Sequence, residues 1–423
     1  MKGPKLAKMA WRNMWRNRRR TLITLCGIVF GVLLAVLFTG LGDSTYSKMI
    51  DLAARLTGGH VSLQHVDALE RGYSPKRSIT RAPDRRRLAL ADPEVSHARV
   101  RITGHTMLAA GGNSRGAAFI AFDPADDGPA TLSILEALKQ GRSFSSSRER
   151  GIIVGHKLAD HLGVRLGRKV VYTLTDKHGE IVTGLARVRG IVKSGADSVD
   201  AGICLLPIDT VREVMGYGAD EATQVAVFVK DQRRSDRVAT RLGARLARAA
   251  RERETVPAAV PWFDRQPELA GFISMKVTST LFFELIIAIL VAAGIFNTLF
   301  VSVMERIREF GIMMAIGFSP GRLFRLVMWE SLWIALVGIV LAALATAWPY
   351  HYLNTRGIDM SAMVSKGGAE IAGVGMTPIM YVEIYPGSAA IIVVAAVGAT
   401  LLSGLYPAWR AGRVAPVESI RLV

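Results

Sequence analysis

Histidines and aspartates that could bind a metal ion occur at two places in the sequence. His156 and His161 lie five residues apart in a segment that is predicted to be helical. Two ligands on one helical face need a spacing of three or four residues. We therefore expect these two histidines to lie on the surface or in the packed core. Asp123, Asp126 and Asp127 lack the other ligands of a calcium-binding loop and are typical of a turn. We therefore expect no metal site on this chain.

Motifs for nucleotide binding or hydrolysis are missing from the sequence. It contains no G-x-x-x-x-G-K-[ST] loop for ATP phosphates, and the segment GIIVGHK, at Gly151–Lys157, has the wrong spacing. The hydrolase motif G-x-S-x-G and the zinc motif H-E-x-x-H are also absent. We expect no enzymatic activity, no catalytic residue and no bound cofactor on this chain.

Three polar residues, Glu284, Asn297 and Glu330, lie inside long apolar segments. A charge at the centre of a bilayer costs at least ~2.5 kcal/mol, and less near the surface. Each carboxylate is therefore expected either to face a bundle interior or cavity, or to pair with a nearby cation. For Glu330 the nearby cations are Arg325 and Arg322. Local pairing is the simpler interpretation. The amide of Asn297, near the middle of its segment, predicts a hydrogen bond between helices.

The elements that position these residues are four apolar segments. The chain has 423 residues, of which half are hydrophobic and 21% are charged, and this mixture indicates membrane helices joined to a soluble domain. The first segment has 21 residues without a charge, enough to cross a bilayer and too long for a signal peptide. The predicted transmembrane segments are Thr21–Leu41, Thr280–Met304, Leu323–Trp348 and Ser388–Leu405.

Much of the net charge of +18 lies beside these segments, which favours membrane topology over nucleic-acid binding. Cations flank the loop between the second and third segments and continue in the tail, at Arg410, Arg413 and Arg421. The positive-inside rule therefore places both termini and this loop in the cytoplasm, and the large domain outside. Cys26 falls in an apolar segment and Cys204 in the soluble part, so we expect no disulfide.

Residues 1–20 contain eight Lys or Arg and no acid. The cations recur at helical spacing, and Leu6, Ala10 and Met14, with Trp11 and Trp15, fall on the opposite side. This pattern predicts a basic amphipathic helix that lies on the anionic cytoplasmic leaflet. The alternative is a positive flank that only orients the first segment.

Between the first two segments lies an α+β region with short β-rich runs. Two hairpin turns are predicted, at Gly111–Asn113 and Asp176–Gly179, and three helices, at Thr131–Leu138, His156–Leu162 and Ser235–Arg253. The fold class is thus an α-helical membrane protein with four transmembrane helices and a large α+β extracytoplasmic domain inserted between helices 1 and 2. Its predicted parts are a cytoplasmic amphipathic helix (1–20), the first transmembrane helix and stalk (21–57), the extracytoplasmic domain (58–264), and a second stalk with helices 2–4 and a cytoplasmic tail (265–423).

The loop Val303–Arg325 has a pattern of its own. Ile307, Phe310, Met314 and Phe318 recur at helical spacing and would form one apolar stripe. Gly317 is a predicted helix stop, followed by Ser319 and Pro320 as the N-cap and first residue of the next helix. We predict a short amphipathic helix on which another protein docks; a plain connector is the alternative.

This loop resembles the permease signature E-R-x-R-E-[IF]-G-[IL]-x-[KR]-A-[IL]-G-[AS] of the MacB/FtsX/lipoprotein-releasing (LolC/LolE-like) family of ABC transporters. It departs at Met314, usually Lys or Arg, and at Phe318, usually small. Gly151–Leu174 and Tyr406–Arg421 are similar to other motifs of the family, as is the opening of the chain. The resemblance implies a dimer of permeases, homo- or heterodimeric, bound to two ATPase subunits that carry ATP and Mg²⁺. It assigns to the ATPase-coupling helix Glu305, Arg306, Arg308, Glu309, Phe310, Gly311, Ala315 and Gly317.

The segment Gly58–Ile79 is similar to the start of the external domain in lipoprotein-releasing permeases. The resemblance therefore favours a multi-pass protein of the bacterial inner membrane that extracts lipoproteins for a periplasmic carrier, with lipid entering between the first two helices. The first alternative is MacB-like efflux of drugs, peptides or toxins with an adaptor and an outer-membrane channel. The second is an FtsX-like relay that controls a periplasmic hydrolase without transport. No nucleic acid is implied.

Overall fold

The computed structural model of the chain describes residues 3–72, 74–250, 255–360, 370–371, 374–375 and 379–413. The end of the closing motif, from residue 414, and Arg421 lie outside these residues. The chain divides into two compact units. The helical unit comprises Met1–Thr45, Ser274–Asp359 and Ile379–Val423, and the strand-rich unit comprises Tyr46–Ile273 and Met360–Pro378.

The helices, numbered along the chain, are α1 (Gly3–Met14), α2 (Arg18–Leu56), α3 (Ala68–Arg71), α4 (Ala82–Leu90), α5 (His156–Leu162), α6 (Asp197–Gly202), α7 (Ile208–Met215), α8 (Ser235–Ala249), α9 (Trp262–Arg265), α10 (Pro267–Glu305), α11 (Ile307–Ala315), α12 (Pro320–Thr355) and α13 (Pro386–Ala411). The strands are β1 (Val61–Gln64), β2 (Val95–Ala110), β3 (Asn113–Phe122), β4 (Leu138–Gly141), β5 (Gly151–Gly155), β6 (Lys169–Thr175), β7 (Ile181–Val192), β8 (Ile203–Pro207), β9 (Gln224–Val229), β10 (Ala258–Pro261), β11 (Ile358–Asp359), β12 (Glu370–Ile371), β13 (Val374–Gly375) and β14 (Ile379–Met380).

Among the residues that the structure describes, four helices, α2, α10, α12 and α13, are long and apolar enough to span a membrane. Each contains one of the four predicted transmembrane segments. Small residues let them approach closely in the helical unit. A side chain added at Gly404 would place Cβ 2.4 Å from Ser331 Oγ, and one at Gly338 would lie 2.8 Å from Ile28. Close packing of this kind is a main source of helix association in membranes, where the hydrophobic effect contributes little.

The apolar side of α1 is buried within the chain, and this corrects the prediction that it faces the lipid surface. Leu6 and Ala10 pack against Leu326 of α12. Trp333 of α12 donates a hydrogen bond from Nε1 to the carbonyl oxygen of Ala7 at 3.1 Å. The cations of α1 remain exposed on the other side. The amphipathic pattern is therefore real, but its apolar stripe recognises a neighbouring helix.

The strand-rich unit contains a closed barrel. Strands β2, β3, β8, β5, β7 and β6 pair in that order, and β6 pairs again with β2. Both predicted hairpin turns are confirmed, and Gly111 and Gly112 between β2 and β3 adopt φ of 56° and 94°, which favour glycine. The first half of β2 also pairs with β9, and β1 lies between β9 and β10.

Two of the three helices predicted for this unit need correction. Residues Thr131–Leu138 form only a short 3₁₀ turn at Ser133–Leu135 and lead into β4. Helix α8 ends at Ala249, and although its sequence is polar nearly all round, Val238, Leu242 and Leu246 are buried. The many arginines on its outer side make the narrow apolar stripe difficult to recognise in the sequence. The third helix, α5, has the predicted bounds.

An ion pair is buried inside the strand-rich unit. Arg101 of β2 binds Asp127 through two hydrogen bonds of 2.6 and 3.0 Å, and both side chains are almost fully inaccessible to solvent. Arg101 also donates to the carbonyl oxygens of Thr57 and Thr131. The predicted turn residue Asp127 therefore satisfies a buried cation, whereas Asp126 binds Arg86 nearer the surface.

The two cysteines differ sharply in accessibility. Cys26 on α2 is exposed, whereas Cys204 on β8 is buried, and burial raises the pKa of the Cys204 thiol well above its usual range. Since only the thiolate reacts, we expect a methanethiosulfonate reagent to leave Cys204 free in the folded protein. Mass spectrometry of the labelled protein measures this. Cys26→Ser should remain unlabelled until denatured, and labelling of Cys204 in the native protein would contradict the prediction.

Candidate functional site

Helix α11 is a separate short helix between two long ones. Arg306 follows the end of α10 and interrupts the helical conformation with φ −102° and ψ 10°, and α11 begins at the next residue. Gly317 follows its end with φ +98°, a conformation that favours glycine. Ser319 and Pro320 are the N-cap and first residue of α12, although the Ser319 side chain forms no capping hydrogen bond. The predicted helix, stop and restart are therefore confirmed.

The predicted apolar stripe of α11 packs into the core of its own chain. Phe310 is fully buried with Val303, Leu323 and Ala408 from the three neighbouring spanning helices, and Met314 packs against the same cluster. Gly311 is also buried. The expectation that this stripe receives another protein is therefore wrong for Phe310, whose side chain is not accessible.

The opposite face of α11 is open. Its exposed residues are Arg308, Ile312, Ala315, Ile316 and Gly317, and the Ile312 and Ile316 side chains are 49% and 74% exposed. We call these five residues the outer face of α11. Sequence reasoning missed Ile312 and Ile316, although their spacing of four, on the side opposite Phe310, was a signal for a second apolar stripe.

The two carboxylates of the signature form ion pairs with the N-terminal segment. Glu305 Oε1 lies 2.5 Å from Arg20 Nη2, and Glu309 binds Arg16. The guanidinium of Arg16 lowers the pKa of Glu309 below its usual range, and the same hydrogen bond raises the pKa of Arg16. The structure thus gives partners within this chain to two residues that the resemblance assigned to the coupling helix.

Glu330 pairs locally, but with a different partner from those expected. Its Oε2 lies 3.2 Å from Arg306 Nη1, and both side chains are nearly buried. Arg306 also contacts Glu309 at 3.3 Å and lies over the ring of Phe310. Arg325 instead donates to the carbonyl oxygen of Gly321. The predicted local pairing is correct, and Arg306 is the cation because α10 and α12 bring it to the same level.

Glu284 lies at a small cavity in the helical unit. Thr39 of α2 donates a hydrogen bond to its Oε1. The cavity, of about 100 Å³, is otherwise lined almost entirely by aliphatic side chains of α2, α10 and α13, such as Val32, Val291 and Ile392. Asn297 is exposed on α10, and its side chain forms no hydrogen bond with any residue that the structure describes. The hydrogen bond predicted for its amide is not formed within this chain.

Comparison with protein-family models matches both parts of the chain. Residues 21–245 match the MacB-like periplasmic core domain, and residues 281–416 match the FtsX-like permease C-terminal domain. The chain belongs to the MacB/FtsX family of ABC transporter permeases. The permease is therefore a protein of the cytoplasmic membrane.

Relatives of this permease carry the names of different transport systems. The lipoprotein-releasing system transmembrane protein LolC of Xylella fastidiosa (strain Temecula1 / ATCC 700964) is 23% identical over 348 residues, which cover 79% of each chain. The macrolide export ATP-binding/permease protein MacB of Brucella abortus is 23% identical and covers 98% of this chain but 59% of its own length. The crystal structure of the periplasmic region of MacB from Actinobacillus actinomycetemcomitans has a TM-score of 0.34 and 13% identity, covering 48% of this chain and 87% of that one.

In the permease, the signature residues fall into two groups. Arg308, Ala315 and Gly317 lie on the outer face of α11, where a partner could reach them. The others are engaged within the chain, by ion pairs or by packing: Glu305, Arg306, Glu309, Phe310 and Gly311. The arrangement can therefore do two things: present an apolar and cationic surface, and attach that surface to the membrane helices.

Proposed function

We propose that this permease couples ATP hydrolysis on partner ATPase subunits to the extraction of lipoproteins from the inner membrane. The observation that carries the coupling role is the outer face of α11. Ile312 and Ile316 are apolar, exposed and free of the chain's own core, and Arg308 lies beside them. Exposed apolar residues grouped with an arginine are typical of a protein interface.

In the proposed topology, both termini and α11 are cytoplasmic, and the large domain lies outside between the first two spanning helices. Two ATPase subunits bind ATP and Mg²⁺ and engage a pair of permeases, which are identical or different. Helix α10 leaves most of its apolar surface uncovered within one chain, which suits contact with a second permease or with lipid. ATP binding then moves the helices, and the external domain delivers cargo to a periplasmic carrier.

Lipoprotein release is preferred over export because the segment Gly58–Ile79 resembles the start of the external domain in lipoprotein-releasing permeases. The LolC relative aligns with 79% of its own length; the ATP-binding/permease proteins MacB and PvdT of Pseudomonas aeruginosa align with 59% and 49% of theirs. Export of drugs, peptides or toxins with an adaptor is the second candidate, since those exporters align with 98% and 78% of this permease. A relay that controls a periplasmic hydrolase is the third.

The test is depletion of the permease from its own cells, followed by separation of inner and outer membranes. We expect outer-membrane lipoproteins to accumulate in the inner membrane, because cargo can no longer be extracted. Re-expression of the intact chain should restore sorting, and re-expression of Ile316→Glu should not. Intact lipoprotein sorting with loss of resistance to a toxic compound would favour export. Intact sorting with a defect in cell-wall hydrolysis would favour the relay.

A further inference from the structure

The segment that joins α1 to α2 is held at the junction of α10 and α11 by two neighbouring ion pairs, one with the last residue of α10 and one with α11. Arg16 and Arg20 are four residues apart, as are their partners Glu309 and Glu305. Thr21 fixes this segment further, because its Oγ1 donates to the carbonyl oxygen of Met14 at 2.5 Å. We call residues 16–20 the arginine segment. It connects the end of α1 to the first turn of α2 and places Arg16 and Arg20 beside the junction of α10 and α11.

The attachments of α11 differ in strength. Arg306 and Glu330 are nearly buried, and removing one partner of such a pair is costly because the other charge loses its counterion. Arg16 and Glu309 are 56% and 42% exposed, and pairs as open as this contribute only about 0.2–1 kcal/mol each. The arginine segment therefore contributes little to the stability of the fold. Changes to it should leave the protein folded, which makes another role testable.

Spanning helix α2 is also packed on its neighbours further along. Leu25 and Ile28 lie in a cluster with Ile295, Leu299 and Ile334. That packing attaches the body of α2 to α10 and α12. The two ion pairs lie nearer the start of α2. Arg20, in its first turn, binds the last residue of α10, and Arg16, just before α2, binds the helix with the open outer face.

We propose that Glu309 and Glu305 are positioning residues for the first spanning helix: Glu309 passes movement of α11 to the arginine segment, and Glu305, at the end of α10, keeps that segment in register. The inference rests on the proposed docking of an ATPase to the outer face of α11. A shift of α11 carries Glu309 with it, and the arginine segment follows through Arg16, while Arg20 remains bound to Glu305 at the end of α10. The acidic residues of the signature thus act on this chain, and Arg308, Ala315 and the exposed isoleucines remain for the partner.

Charge reversal in the complex of the permease with its ATPase tests this role. A spin label on native Cys26, six residues after Arg20, reports the environment of α2, since Cys204 is buried. We expect ATP and Mg²⁺ to change the spectrum of this label in the wild-type complex. Glu309→Arg and Arg16→Glu should each reduce that change at least fivefold while the ATPase remains bound. The double variant Arg16→Glu/Glu309→Arg should restore a large part of it, because the pair is remade with its charges exchanged while the new arginine also lies beside Arg306.

A matched control is Arg12→Glu, which reverses an exposed cation of α1 and should leave the response unchanged. Failure of the double variant to restore the response would overturn the positioning role, as would a wild-type label that does not respond to ATP. Release of the ATPase by Glu309→Arg would also overturn it, because Glu309 would then be a direct contact. If no ATPase is found with the wild-type permease, both the proposed function and this role are wrong. Failure with the ATPase still bound contradicts only the role of the ion pairs.

Discussion

Replacing Arg101 with alanine will lower the free energy of unfolding of the strand-rich unit by about 3–5 kcal/mol, because it leaves the Asp127 carboxylate buried without a cation. The same change removes two further hydrogen bonds, to the carbonyl oxygens of Thr57 and Thr131. Urea unfolding of the purified protein, monitored through hydrogen exchange at the amides of β2, measures the effect. An Arg101→Ala protein within about 1 kcal/mol of the wild type would contradict the prediction, since neutral variants fall in that range.

Two matched variants separate the cost of an uncompensated charge from the contribution of the pair. The double variant Arg101→Met/Asp127→Leu should recover most of the loss, because apolar replacement of a buried pair is often neutral. Arg86→Ala removes a more exposed arginine, whose Nη2 lies 2.6 Å from Asp126, and should cost roughly 1 kcal/mol or less. If all three variants lose equal stability, charge burial is not the cause.

Replacing Ile316 with glutamate will weaken the binding of the ATPase subunit by at least about 2 kcal/mol, or roughly thirtyfold, as expected for a central interface residue. The added carboxylate would have to be buried against the partner without a counterion. Because the Ile316 side chain is 74% exposed, the permease itself should fold normally. Affinity measured between the purified permease and the ATPase gives the result.

Ile181→Glu is the matched control for this change. Ile181 is an isoleucine of similar exposure, 78%, and lies on β7 of the strand-rich unit. The same substitution there should leave ATPase binding unchanged. Wild-type affinity in Ile316→Glu would show that the outer face of α11 is not the docking surface. Equal weakening by both variants would show that the effect is not local.

The spanning helices and the start and stop of α11 could be predicted because their signals are local. An uncharged run of about 20 residues has few alternatives to a membrane helix. Gly317 and Ser319-Pro320 give end and restart signals that act within one turn. In the same way, two glycines between β-rich runs were sufficient to predict the hairpin at Gly111 and Gly112.

What each helical face contacts could not be predicted, because the same sequence pattern serves packing within the chain and binding of a partner. An apolar stripe looks the same whether it packs on its own chain, as Phe310 does, or receives a partner, as we propose for Ile316. Ion pairs between distant residues were equally hidden. Arg16 and Glu309 are 293 positions apart, and no local rule connects them. The buried role of Arg101 was missed because a charge in a strand usually indicates its solvent side.

The order of strands in the sheet sets a time scale for the folding of this protein during synthesis. Strand β1 pairs with β10, where Val61 lies opposite Pro261, so the two partners are synthesised about 200 residues apart. At ~5–20 residues per second, β1 waits roughly 10–40 seconds for this partner. During that interval the spanning helix α2 is already complete, while an unpaired strand edge is open to association with other chains. We therefore expect protection of this edge by chaperones during synthesis to matter more for this permease than for one with locally paired strands.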